Sequence, residues 1–356
     1  MANSGLPGTS GFIGEFLVTL GAMRVSFWYD SHKPTSELLI PTVLSVSPPT
    51  DISVAKLTYP AGEDRSFPFS PGDKLPRTLG DTFLHVSRVH AFIETSHPLA
   101  EYPKHEISDL QRAIAGHVAP LIPDGATIQT GIGGIPEAVL GLLRDHKDLG
   151  IHSEMVPDSV VELIQSGVIN NERKTIHPHK VIAGFVLGSR MLFDFIDNNP
   201  VFEFHRTAYA NDPFIIAQND RMVALNSAIE VDLTGQVCAD SMGQVMYSGI
   251  GGQVDFLRGA ARSKGGMPIS TLPSTAKNGE VSRIVPRLQP GAGVVTSRGD
   301  VHYVITEHGV AYLHGKTLRQ RAEALIRVAD PKFREELEEF ARENKILGAG
   351  RSTVAV

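Results

Sequence analysis

The sequence predicts an α/β protein whose parallel sheet is covered by helices on both faces. Three strand–loop–helix units follow one another between Ala126 and Asp197, and strands alternating with short helices are the signature of that architecture. The 356 residues suffice for two domains or one large one, and 42% apolar with 20% charged residues is the balance of an ordinary globular chain.

Along the chain, residues 1–80 are irregular, with Pro41, Pro48, Pro49, Pro60, Gly62 and Pro68 among their breakers and poor periodicity between Thr50 and Lys74. Asp81–Val86 has a strand pattern. Glu106–Leu121 reads as an amphipathic helix with Ile107, Leu110, Ile114, Val118 and Leu121 on one face. The first unit is the strand Ala126–Gln129, the loop Thr130–Ile135 and the helix Pro136–His146, with Pro136 suited to the first helical position. The second is the strand Gly150–Ser153 and the helix Asp158–Gln165, closed by Gly167. The third is the strand Val181–Val186 and the helix Ser189–Asp197. Asp220–Asp232, Val294–Val295 and Tyr303–Thr306 supply further strand candidates, and Lys316–Val328 and Pro331–Glu343 two closing helices.

Charge and composition exclude several functions. The net charge is −6 with both signs dispersed, so there is no basic footprint for nucleic acid. The single cysteine, Cys238, permits no intrachain disulfide and favours a reducing compartment. The longest apolar stretch, Gly11–Tyr29, is interrupted by Glu15 and Arg24, and residues 1–10 carry no lysine or arginine for a secretory signal. The expectation is a soluble cytoplasmic protein without membrane contact, a mitochondrial one being the alternative.

The chemistry-bearing candidates begin with Glu154, in Gly150-Ile-His-Ser-Glu-Met-Val-Pro-Asp158, between a strand and the next helix. Ligands of open parallel sheets bind beyond the carboxyl ends of strands. A carboxylate there faces the crevice, is favoured by the following helix's amino end, and is a competent nucleophile toward an activated acyl group. From position alone, a plain helix cap is the commoner role. Two glycine loops, Gly131-Ile-Gly-Gly-Ile-Pro136 and Ser248-Gly-Ile-Gly-Gly-Gln253, present bare amides suited to a phosphate or an oxyanion. Each alone reads equally well as a tight turn, and neither is a dinucleotide fingerprint. Together with a strand-end glutamate they favour an anionic-ligand site. Gly315-Lys-Thr317 lacks the spacing of a phosphate-binding loop, and no ligand partners accompany His177-Pro-His179, so no metal is expected. Cys238 reads as a small core residue.

Gly125-Ala-Thr-Ile-Gln-Thr-Gly-Ile-Gly-Gly-Ile-Pro-Glu-Ala-Val139 resembles the glycine loop of the acetyl-CoA hydrolase/CoA-transferase family, and Leu149-Gly-Ile-His-Ser-Glu-Met155 its catalytic segment. Asn226–Gln236, Ser248–Arg258, Ser282–Pro286 and Val304–Gly309 continue the likeness, which runs from about Leu75 to about Glu343. The resemblance implies two related CoA-transferase-like domains of the NagB/RpiA type. The first, within residues 1–100, is incomplete, and the second spans 101–356. It also implies coenzyme A as a substrate, no metal, and exchange of CoA between a short-chain acyl-CoA and a carboxylic acid such as acetate. Glu154 would be the nucleophile, passing through an acyl-glutamyl anhydride to a glutamyl-CoA thioester. Gly251 and Gly252 would lie beside the thioester, Gly131 and Gly133 would shape the pocket, Gly249 would join them in binding CoA, and the chain would form a homodimer. An acetyl-CoA hydrolase with the same nucleophile, and an inactive paralogue that binds CoA or a partner, are the alternatives. The segment before Leu75 does not match the family's front domain: Pro48-Pro49 resembles a remnant of it, and Thr50–Lys74 reads as unrelated sequence.

Overall fold

The computed structural model describes residues 76–83, 85, 99, 101–102 and 106–347. The expected partial first domain, Pro48-Pro49 and the 50–74 stretch lie outside those residues or nearly so.

The centre is an eight-stranded sheet: β1 (Thr127–Gln129), β2 (Gly150–Val156), β3 (Val181–Val186), β4 (Phe202–Phe204), β5 (Met222–Ser227), β6 (Met267–Thr271), β7 (Tyr303–Thr306) and β8 (Gly309–Tyr312). Their spatial order is β8-β7-β6-β5-β1-β2-β3-β4, parallel except for the closing β7–β8 hairpin. From β1 the chain builds outward through β2, β3 and β4, then returns to lay β5 on the other side of β1. The strand order therefore reverses at β1, and a sheet of this kind opens its ligand crevice at such a point.

Nine helices flank the strands among the described residues: α1 (Asp109–Val118), α2 (Gly134–Leu142), α3 (Ser159–Gln165), α4 (Arg190–Ile196), the single turns α5 (Thr207–Ala210) and α6 (Pro213–Ile216), α7 (Gln253–Arg262), α8 (Leu318–Val328) and α9 (Arg334–Glu343). Strand β5 shows how both faces are covered. Val223 and Leu225 join the core that includes Ile114, Val139 and Ile151, whereas Met222 and Ala224 pack with Ile216, Phe256 and Leu257 of α6 and α7. Side chains alternate along a strand, so these two sets mark opposite faces. A third cluster holds α8 and α9 against β7 and β8 through Leu325, Leu337, Val304 and Ala311.

Several expected boundaries move. Helix α1 begins with a capping box between Ser108 and Gln111, and Leu110 in its first turn is 40% exposed. Helix α2 begins at Gly134, so Pro136 is its third residue, still among the positions that need no amide donor. Strand β2 runs to Val156, which puts Glu154 inside a strand. The segment Asp220–Asp232 divides at Ala228 into β5 and a short strand Glu230–Asp232. Val294–Val295 is not a strand; the pairing there is a single bridge, Val237 to Thr296. Near Asp81 the described residues form a turn, joined to β4 by one bridge from Gly80 to Phe204, and Leu84 and Val86 lie outside the described residues.

Candidate active site

Glu154 owes its position to a difference in strand length. Thr127 pairs with Gly150 and Ile128 with Ile151, and β1 stops at Gln129. The second half of β2 therefore overhangs the carboxyl end of β1, with Glu154 on the overhang. His152 and Glu154 share a face. The His152 ring meets Phe256 of α7 edge-on at a centroid distance of 6.3 Å, and its Nε2 lies 2.9 Å from the Ala210 carbonyl oxygen. Only a donor is stable beside a carbonyl, so Nε2 carries the proton and Nδ1 accepts from Asn219 Nδ2 at 3.3 Å. Burial, with the nearby Lys174 cation second, pushes the His152 pKa down to about 3. The ring is a neutral strut that fixes which face Glu154 takes.

The Glu154 side is closed in. The residue is 8% exposed, and its Oε2 accepts the Gly252 N–H at 3.1 Å. Its Oε1 has no hydrogen-bond partner. Burial raises the carboxyl pKa above the ordinary value; the Asn211 carboxamide and the Gly252 N–H pull it down, and Asp255 adds a smaller upward push. Asp255 is itself raised to about 6 by burial.

Gly252 caps α7, so the positive end of that ten-residue helix is turned on the carboxylate. The helix that follows Glu154 in sequence does not do this, contrary to the sequence expectation, because β2 continues two residues past Glu154 before α3 starts. A Cβ at Gly252 would overlap Glu154 Oε2 and Asn211 Nδ2, which is the physical reason for glycine there. Close approach recurs at Gly184 of β3, where a Cβ would lie 2.8 Å from the Glu154 carbonyl oxygen.

A cavity of about 510 Å³ opens at this point, and Glu154, Gly131, Gly249 and Gly252 all line it. Gly133 and Gly251 are not on its wall. Gly133, at φ 108°, is the residue before α2, and Gly251, at φ 57°, makes the turn into α7. The walls are apolar at Met155, Phe185, Leu187, Leu225 and Ile250, while Gln129, Asn226 and Gln253 form a polar patch. Among the described residues, none that lines it is Lys, Arg or His. No group of three or more metal-ligating side chains occurs among the described residues. His177 instead bonds Tyr209 Oη through Nε2 at 2.6 Å and lies 3.6 Å from Glu203. Cys238 is fully buried, its Sγ 3.1 Å from the Ser241 carbonyl oxygen, and Thr317 caps α8 with Gln320. No described helix is long and apolar enough to cross a membrane.

Sequence reasoning singled out the glutamate and the glycines but gave no role to Asn211, which follows α5 and carries no motif of its own. Gln129 and Asn226 lay within motifs, unassigned, because their partnership depends on the β1–β5 pairing.

Residues 188–341 match the acetyl-CoA hydrolase/transferase C-terminal domain. The chain is 53% identical over 281 residues to a 4-hydroxybutyrate coenzyme A transferase of Clostridium kluyveri, covering 79% of this chain and 66% of that protein. It is 52% identical over 272 residues to a succinyl-CoA:acetate/propanoyl-CoA:succinate CoA transferase of Fasciola hepatica, covering 76% of this chain and 57% of that one. The crystal structure of a 4-hydroxybutyrate CoA-transferase from Porphyromonas gingivalis superposes with a TM-score of 0.67 at 49% identity, over 76% of this chain and 64% of that one. This chain thus spans about three fifths of the length of the relatives it matches. Over that shared length it belongs to the acetyl-CoA hydrolase/transferase family.

Proposed function

We propose that this chain is a CoA-transferase, moving CoA between a short-chain acyl-CoA and a carboxylic acid such as acetate, with Glu154 as the covalent nucleophile. The observation that supports the reading is the asymmetry of the Glu154 carboxylate on a residue that lines the cavity: Oε2 is held by the Gly252 N–H, and Oε1 is buried without a partner. Oε1 is the attacking atom. It adds to the thioester carbonyl, the C–S bond breaks, and CoA thiolate leaves an acyl-glutamyl anhydride. The thiolate then attacks the glutamyl carbonyl, releases the acyl group as a carboxylate and forms a glutamyl-CoA thioester. An incoming carboxylate reverses the two steps. Oε2 is the oxygen on which charge develops when the glutamyl carbonyl is attacked, and its donor is in place beforehand. One such donor is commonly worth ~10²–10³ in rate. A largely apolar cavity suits the acyl and thioester end of the substrate, which carries no charge.

Water in place of the acceptor acid would make the same site a hydrolase, and the matched family covers both outcomes. Incubating the chain with acetyl-CoA, with and without a second carboxylic acid, separates the two. Transfer to the acid with little free CoA is expected. Mass spectrometry after borohydride trapping should place the adduct on Glu154, and an adduct on any other residue overturns the mechanism. We further propose that the chain works as a cytoplasmic homodimer, in line with its single buried cysteine.

A further inference from the structure

We infer that the hydrogen bond between His177 and Tyr209 holds Asn211 against Glu154, which makes His177 and Tyr209 positioning residues for that carboxylate; their place in catalysis rests on the reading of Glu154 as the nucleophile. Three consecutive residues carry the connection. Tyr209 Oη lies 2.6 Å from His177 Nε2. The Ala210 carbonyl oxygen accepts from His152 Nε2 at 2.9 Å. Asn211 is buried, and its Nδ2 and Glu154 Oε2 crowd the same space beside Gly252.

Tyr209 and Ala210 belong to α5, a single turn of four residues that Asn211 closes. A helix this short does not hold itself, and Arg206 ahead of it supplies no side-chain cap. With Ala210 bonded to His152 alone the turn can pivot; the Tyr209 bond is a second point of attachment and fixes which way Asn211 faces. The Asn211 Oδ1 has no partner, so the backbone of the turn decides where Nδ2 lies. Tyr209 is clamped from outside. His205 stacks on its ring at 4.7 Å between centroids, and Glu203 Oε2 lies 3.6 Å from His177 Nδ1 and 3.5 Å from His205 Nε2. A carboxylate beside Nδ1 favours the proton there, so Nε2 is bare and the Tyr209 O–H donates to it. Burial, with the Lys174 cation second, lowers the His177 pKa, and burial raises that of Tyr209. Ring and hydroxyl are therefore both neutral at pH 7, and the bond keeps one direction. The His177 backbone stands at φ 50°, a left-handed conformation that residues with side chains adopt sparingly and that persists where it places a working group.

The test is a carbon-13 NMR titration of the Glu154 carboxyl in the full chain labelled at glutamate, the signal being assigned by its loss in Glu154→Gln. It needs no turnover. Tyr209→Phe keeps the ring and its stacking and removes only the hydroxyl; it should raise the Glu154 pKa by about 0.5, since the charged form loses part of its support from Asn211. His177→Ala should raise it equally, and His177→Gln, whose amide can still bond the hydroxyl, should restore most of the parent value. In an Asn211→Ala chain Tyr209→Phe should add nothing, because the group it positions is gone. In acetyl-CoA exchange Tyr209→Phe should cost about threefold in kcat/KM at pH 5.5, shrinking toward pH 8. A Glu154 pKa unmoved by Tyr209→Phe, or moved as far with Asn211 absent, overturns the inference and leaves the transferase reading standing. A parent chain without exchange overturns the transferase reading, while the titration still decides whether Tyr209 positions Asn211.

Discussion

The backbone N–H of Gly252 and the carboxylate of Glu154, 98 residues apart in sequence, meet at 3.1 Å. That contact joins the overhanging end of β2 to the positive end of α7 and makes the two carboxylate oxygens unequal. It also removes any room for a side chain at Gly252.

Gly252→Ala forces the new methyl group into Glu154 Oε2 and Asn211 Nδ2. The carboxylate must turn away and loses its donor. The expected outcome is a fall in kcat of about 10²–10³ with a smaller change in KM, measured by acetyl-CoA exchange. Gly116→Ala is the control: it lies exposed in the last turn of α1 with nothing within 4 Å, and should leave exchange unchanged while stabilising the helix by up to about 1 kcal/mol.

With Glu154 as the proposed nucleophile, Glu154→Gln should abolish exchange, and it should also stabilise the fold. The Glu154 pKa is higher in the folded chain than in the unfolded one, because burial disfavours the charge. Between the two values the folded state holds more protons, so this residue makes stability fall as pH rises through that window. The glutamine variant carries no such penalty and can still accept the Gly252 N–H. Its Tm should exceed the parent's at pH 8, by about 2–4 °C for each kcal/mol relieved, and match it below the unfolded-state value. Equal Tm values at pH 8 would show that the charge costs the fold nothing.

His152 acts with the opposite sign. Its pKa of about 3 in the fold lies below the ordinary 6.5, so between these values the unfolded chain binds the extra proton. Stability is complete above pH 6.5 and is lost as pH falls, by about 2 kcal/mol at pH 5. Replacing His152 with glutamine should flatten that part of the stability curve, read by denaturant titration at pH 5 and pH 7. An unchanged slope would assign the acid sensitivity elsewhere.

These contacts explain what the sequence could and could not convey. Strand β3 was legible to the residue, Val181–Val186, because its apolar run, interrupted only by Gly184 and flanked by a loop and Gly188, is β-branched and too short for a helix. Strand β2 was cut short at Ser153: all seven of its residues are buried, so no alternation marks it, and Ser153 and Glu154 look like loop. Val294–Val295 read as a strand on residue preference alone, yet no partner strand lies beside it. Glu154 and the loops at Gly131 and Gly252 were visible as motifs. The reason they converge was not, since it is the reversal of strand order at β1, a property of pairing between distant segments.

Asn211 tests the electrostatic part of this picture without touching Glu154. Its carboxamide favours the charged form of Glu154, and its Oδ1 is buried without a partner. Asn211→Ala removes the stabilising group, so the Glu154 pKa should rise further and the acid limb of kcat/KM should move to higher pH. Loss of a hydrogen bond to a charged group predicts a decrease on the order of tenfold at pH 5.5, shrinking toward pH 8 as the carboxylate ionises again. A residue that only packed the loop after α5 would lower activity by the same factor at every pH. A flat ratio of variant to parent across pH 5–9 would therefore remove Asn211 from the group that sets the charge of Glu154.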